Sequence, residues 1–92
     1  MAEFKDKRTE RLFNGERDRG FPPNLREREK ATLIRVASAR DLADLRIPRS
    51  LRLEALGGER VGTYSVRINR QWRVCFRMTE NGATDIEVVD YH

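Results

Sequence analysis

Ninety-two residues suffice for one domain around one core, so 1–92 reads as a single domain. No apolar run approaches the roughly 20 residues of a membrane helix, and nothing at the start has the charged, apolar and small-residue order of a signal peptide. With one cysteine (Cys75) and one histidine (His92), an internal disulfide and a Cys/His zinc site are excluded; a cytoplasmic protein without metal or cofactor is expected. The net charge is +4, from sixteen arginines and three lysines against fifteen acids. Guanidinium forks grip phosphate and stack on bases, so the balance fits a polyanionic partner, although the codons of a high-GC genome give the same bias.

Phe4 is placed to begin a short edge strand. Asp6 is a helix cap, and the helix it starts runs to about Phe13, where Asn14-Gly15 stops it. Two glycines and Pro22-Pro23 make 15–23 a loop. Asn24 caps a second helix, Leu25 to about Ala37, with Leu33, Ile34 and Ala37 on its apolar face. A short third helix spans Asp41 to Leu45, closed by Pro48. From residue 51 the pattern changes to period two. Leu51, Leu53 and Ala55 alternate with Arg52, Glu54 and Leu56, and Gly57-Gly58 makes a turn. Tyr64, Val66 and Ile68 alternate with Thr63, Ser65 and Arg67. Asn69-Arg70-Gln71 is a tight hairpin. Trp72, Val74, Phe76 and Met78 alternate with Arg73, Cys75 and Arg77, and Asn81-Gly82 is a second hairpin signal. Ile86 and Val88 alternate with Glu87, Val89 and Tyr91. The fold class is therefore α+β: two or three N-terminal helices packed on a curved antiparallel sheet of four to five strands.

Alternation sorts the sheet into two faces. One collects Leu51, Leu53, Val66, Ile68, Trp72, Val74, Phe76, Ile86 and Val88, a core for the helices. The other collects Arg52, Glu54, Arg67, Arg73, Arg77 and Tyr91. A solvated sheet face accounts for such a set on its own. What favours a site is Asp90-Tyr91-His92, which follows directly from the strand. His92 has the one side chain here with an ordinary pKa near neutrality and suits a general acid, where a tail residue would otherwise be the bland expectation. Tyr91 is either a strand aromatic or a hydrogen-bonding partner of a reacting hydroxyl. Glu54 is either a base or a clamp on an arginine. Arg73 is either half of a surface ion pair with Glu54 or Glu87, or a charge stabiliser at a phosphate. A base, a cation and an acid are what attack of a ribose 2′-OH on the adjacent phosphorus requires. No Gly-rich phosphate loop, Ser/His/Asp set or carboxylate metal cluster is present.

Four stretches carry a resemblance: Arg52-Leu53-Glu54-Ala55-Leu56-Gly57-Gly58, Tyr64-Ser65-Val66-Arg67-Ile68-Asn69, Gln71-Trp72-Arg73-Val74-Cys75-Phe76 and Val89-Asp90-Tyr91-His92. Together they resemble the HigB-type toxins of the RelE/ParE superfamily, densely over 51–92 and in layout alone over 1–50. The resemblance implies a RelE-like fold and a ribosome-dependent, metal-independent endoribonuclease (mRNA interferase). It implies as partners a helix-turn-helix antitoxin of the HigA type, the ribosome and mRNA, and operator DNA through the antitoxin complex; no membrane is involved. It assigns Arg73, Asp90, Tyr91 and His92 to cleavage; the reading of the sheet face adds Glu54 to the catalytic set and Arg52, Arg67, Arg70 and Arg77 as RNA-binding residues. Some relatives have histidine at the position of Glu54 and lysine at that of Gly57; another branch shares Arg-Leu-Glu-Ala-Leu. The alternative is a non-enzymatic binding protein of the same fold, either a gyrase-type inhibitor or an inactive toxin kept for operon control.

Overall fold

The computed structural model describes residues 3–14, 26–47, 49–58, 62–69 and 71–90. Among them, two α-helices and two 3-10 turns precede a four-stranded antiparallel sheet. Helix α1 is Lys7–Phe13 and α2 is Arg26–Ser38. The 3-10 turns are Leu42–Leu45 and Arg49–Leu51. Strands β1 (Glu54–Ala55), β2 (Thr63–Arg67), β3 (Trp72–Thr79) and β4 (Gly82–Asp90) lie side by side in chain order. The expected 15–23 loop, the Asn24 cap, Pro48, Arg70, Tyr91 and His92 lie outside the described residues.

Asp6 begins α1 as expected. Its backbone is extended and its Oδ1 accepts from the Thr9 amide at 2.8 Å, satisfying one of the donors a helix start leaves open. Asp6→Ala should therefore cost about 1 kcal/mol of stability; urea unfolding measures it, and an unchanged midpoint would show the cap to be idle. Asn14 ends the helix at φ −82°, its amide bonding Glu10 O. The third helical element is a 3-10 turn capped by Asp41, whose Oδ1 accepts from the Asp44 amide.

On α2 the inward stripe is Glu29, Thr32, Leu33 and Val36, all buried, at the i, i+3, i+4, i+7 spacing of one helix face. Ile34, expected on the apolar face, is 44% exposed. The core gathers Leu12, Leu33, Val36, Leu45 and Leu51 against Val66, Trp72, Val74, Phe76, Ala83, Ile86 and Val88.

Two sheet details depart from simple alternation. Residues 51–53 are not strand: Leu51 closes a 3-10 turn, Arg52 takes φ +47°, and regular pairing covers Glu54 and Ala55 only. The hairpin after β3 pairs Thr79 with Gly82, so its two loop residues are Glu80 and Asn81, one earlier than the Asn-Gly signal. Gly82 stands at φ +105°, which favours glycine, and a Cβ there would lie a tight 3.3 Å from Ala39 O.

Farther along β4, Cys75 pairs with Glu87 and Arg77 with Thr84, leaving Asp85 and Ile86 opposite the single residue Phe76. This is a β-bulge, with Asp85 at φ +52°. It lets Ala83 and Ile86, three apart, both face the core. The outer edge of β4 is met by the N-terminal segment. Phe4 forms a parallel bridge with Ile86, whose amide bonds Glu3 O and whose carbonyl accepts from the Lys5 amide. The buried Thr9 hydroxyl accepts from the Val88 amide at 3.0 Å.

Candidate functional site

The face turned away from the helices is built from four strands in register. Glu54 stands beside Ser65, Ser65 beside Cys75 and Cys75 beside Glu87, while Arg67, Arg73 and Val89 form the adjacent row. Ser65 and Cys75 are small and fully buried, so the longer side chains around them close over the middle of the sheet. Arg73 is at the centre. Its Nη1 donates to Ser65 Oγ at 3.1 Å and lies 3.3 Å from Glu54 Oε2. Its side chain is 13% exposed and that of Glu54 49%. The ion pair expected with Glu54 or Glu87 is thus made with Glu54, while Glu87 pairs with Lys5 at 3.3 Å. A cation anchored from two strands needs no reorganisation when negative charge develops in front of it.

The other expected residues divide. Arg77 is on this face, exposed, between Thr63 and Thr84. Arg67 is opposite Arg73 in register, but its Nε donates to Asn69 O at 3.1 Å and it lines a cleft with Thr32, Ser50, Leu51 and Ile68. Arg52 is not on this face. The left-handed backbone after the 3-10 turn breaks the alternation and puts it in a cleft with Leu42, Arg46, Arg49, Leu53, Ala55 and Tyr64. Asp90 is opposite Trp72, on the core side of the sheet, and its Oδ2 accepts from Gln71 Nε2 at 3.1 Å. Arg70, Tyr91 and His92 lie outside the described residues.

Ser65 was the residue the sequence reading passed over. Its signal was available: a small polar residue on the same face as Glu54 and Arg73. What was missing was the cross-strand register that joins them. Among the described residues no three His, Cys, Asp or Glu side chains come together as a metal ion would need. Chemically, the arrangement offers a fixed guanidinium with a half-exposed carboxylate beside it on an open surface, groups able to bind an anion and to accept a proton.

Comparison with known proteins follows the same line. The family model described as RelE-like toxin of type II toxin-antitoxin system HigB matches residues 2–92. The chain is 34% identical over 82 residues to Toxin HigB-1 of Vibrio cholerae serotype O1, covering 88% of this chain and 86% of the relative. Among solved structures it is similar to a chain of the toxin–antitoxin complex RelBE2 from Mycobacterium tuberculosis, with a TM-score of 0.51 and 22% identity over 99% of this chain and 96% of that one. That last likeness is one of fold.

Proposed function

From the premise that this chain belongs to the HigB-like family of RelE-like toxins of type II toxin–antitoxin systems, we propose that it stops translation by cutting mRNA on the ribosome. The observation that carries the reading is Arg73, held by Ser65 and Glu54 on the open face. In the proposed reaction the ribose 2′-oxygen attacks the adjacent phosphorus, the bond to the 5′-oxygen breaks, and a 2′,3′-cyclic phosphate is left. Arg73 faces the charge that builds on the non-bridging oxygens. The 2′-OH proton passes to a base, Tyr91 or Glu54, and His92 returns a proton to the leaving 5′-oxygen. Asp90, fixed by Gln71, sets the approach of these two residues. Arg67, Arg70 and Arg77 add sequence-independent phosphate contacts, and Arg52 would reach RNA only from its cleft on the other side of the β1 edge. No step calls for a metal or a cofactor.

The site of action is the cytoplasm, where ribosomes translate, and no described helix is long and apolar enough to cross a membrane. The partner antitoxin is of the helix-turn-helix kind, and the pair sits on its own operator DNA. The test is to add the purified chain to a translating extract and to map mRNA ends. Cleavage that requires ribosome-bound mRNA is expected. Translation that stops while mRNA stays intact would sink the nuclease reading and favour a binding protein.

A further inference from the structure

The cleft that holds Arg52 is on the other side of the β1 edge from Arg73. Alternation decides this: Glu54 and its partner Ser65 reach Arg73, whereas Ala55 and its partner Tyr64 line the cleft. The cleft measures about 470 Å³. Leu42, Leu53, Ala55 and Tyr64 supply apolar lining, and Tyr64 is tilted against Phe76, with ring centroids 6.2 Å apart.

Arg46, Arg49 and Arg52 also line it, at every third residue. All three are exposed, and their guanidinium groups have no hydrogen-bond or ion-pair partner among the described residues. Ile47, between the first two, is a large apolar side chain left 76% exposed. Arg52 is held at φ +47°, a conformation costly for a residue with a Cβ, by a turn whose amide bonds Arg49 O. Unpaired cations around apolar lining, with a protruding isoleucine beside them, match a ligand that is acidic and apolar at once. Nucleic acid supplies the charge, but its backbone has no use for Leu42, Leu53 and Ile47.

We propose that this cleft docks an acidic amphipathic segment of the partner antitoxin, its carboxylates on Arg46, Arg49 and Arg52 and its apolar side chains on Leu42, Leu53 and Ile47. The proposal rests on the chain's being a toxin with an antitoxin partner; it does not rest on cleavage chemistry. It has a geometric corollary: a segment bound here leaves the Arg73 face uncovered, so neutralisation acts by keeping the toxin from its target instead of by plugging the site.

The probe is a fluorescein-labelled twelve-residue peptide of alternating leucine and glutamate, followed by anisotropy with the full chain. Micromolar binding is expected. Arg46→Glu/Arg49→Glu should weaken it by a factor of about 10 or more, because each reversal turns an attraction into a repulsion at the contact. Lys30→Glu/Arg35→Glu, the same change in net charge on exposed positions of α2, should change it less than about twofold. Arg46→Gln/Arg49→Gln gives a milder loss and serves if the reversed variant does not fold. The proposal is overturned by no binding at 100 µM peptide, by equal losses in the two charge-reversed variants, or by polyglutamate binding as tightly as the amphipathic peptide. It is equally overturned if a twelve-nucleotide RNA loses more affinity than the peptide on Arg46→Glu/Arg49→Glu, which would make the cleft a nucleic-acid site. Peptide binding by a chain that does not cut mRNA would leave this proposal standing and remove the nuclease reading; cleavage without peptide binding would do the reverse.

Discussion

Arg73→Ala should lower mRNA cleavage by a factor on the order of 10²–10³ and leave the protein folded. The two halves of that expectation have different causes. Cleavage suffers because a charge anchored from two strands is gone, and water or a neighbouring arginine must reorganise to replace it. Folding survives because Arg73 points away from the core that Trp72 and Val74 enter. What is lost structurally includes the bond that Arg73 Nη1 donates to Ser65 Oγ and a pairing with the half-exposed Glu54, together about 1 kcal/mol. Arg73→Lys should recover part of the activity, since it returns the charge without the planar guanidinium that can bind a phosphate through two nitrogens. Deleting Tyr91-His92 should be as damaging as Arg73→Ala, at little cost in stability, because the buried Ile86 and Val88 remain. Cleavage in a translating extract and thermal unfolding, measured on all three variants, decide the matter. A folded Arg73→Ala protein that cuts at the parental rate would remove the arginine from the mechanism, and the same result for the truncation would make His92 a tail.

The second large effect concerns a residue far from that chemistry. Glu29 is completely buried on the inward stripe of α2, and neither carboxylate oxygen has a hydrogen-bond partner. Burial penalises the charged form and raises its pKa from 4.5 to about 7, against a smaller lowering by Arg8. The unfolded chain releases this proton near 4.5, and the folded chain keeps it until about 7. Between those values the folded state binds more protons, so stability falls as pH rises and does not recover above the folded pKa. The rise corresponds to about 3 kcal/mol. Glu29→Gln, isosteric and uncharged, should match the parent near pH 4 and be more stable by about that amount at pH 8. Urea unfolding of both proteins at pH 4, 6 and 8 reads the difference directly. A gap that is constant across the range would mean that Glu29 has the same pKa in the folded and the unfolded chain, so that burial does not raise it.

Much of this could be seen in the residues themselves. Asp6 three places before Thr9, the period-two runs of 63–68 and 72–78, and the helix-then-sheet order each reflect a local rule that tertiary packing reinforced. The failures have a common character: each required knowing where the chain meets another part of itself. Arg52 follows Leu51 in an apparently regular alternation, and nothing local announces that a 3-10 turn delivers it in a left-handed conformation. Asp85 is a bulge residue because Ala83 and Ile86 must both reach the core, a parity conflict visible only once β3 is aligned alongside. Glu29 reads as a solvated charge in a charged segment, yet it stands at the head of the stripe that Thr32, Leu33 and Val36 continue. For the site, Glu54 and Arg73 were legible from their common face. Their meeting through Ser65 was not, because it depends on a register that a single sequence does not encode locally.

The way residues 3–9 are secured has a consequence for synthesis. Phe4, Lys5 and Thr9 find their partners at Ile86, Glu87 and Val88, some eighty positions later. Contacts of such separation form late and slow the folding of a small domain. A nascent chain emerging from its own ribosome can make α1 and the β2–β3 hairpin, but the amino-terminal segment has nothing to bind until β4 has been translated and has cleared the exit. The amino-terminal segment is therefore the part of the fold that closes last, once the β4 edge is presented to it.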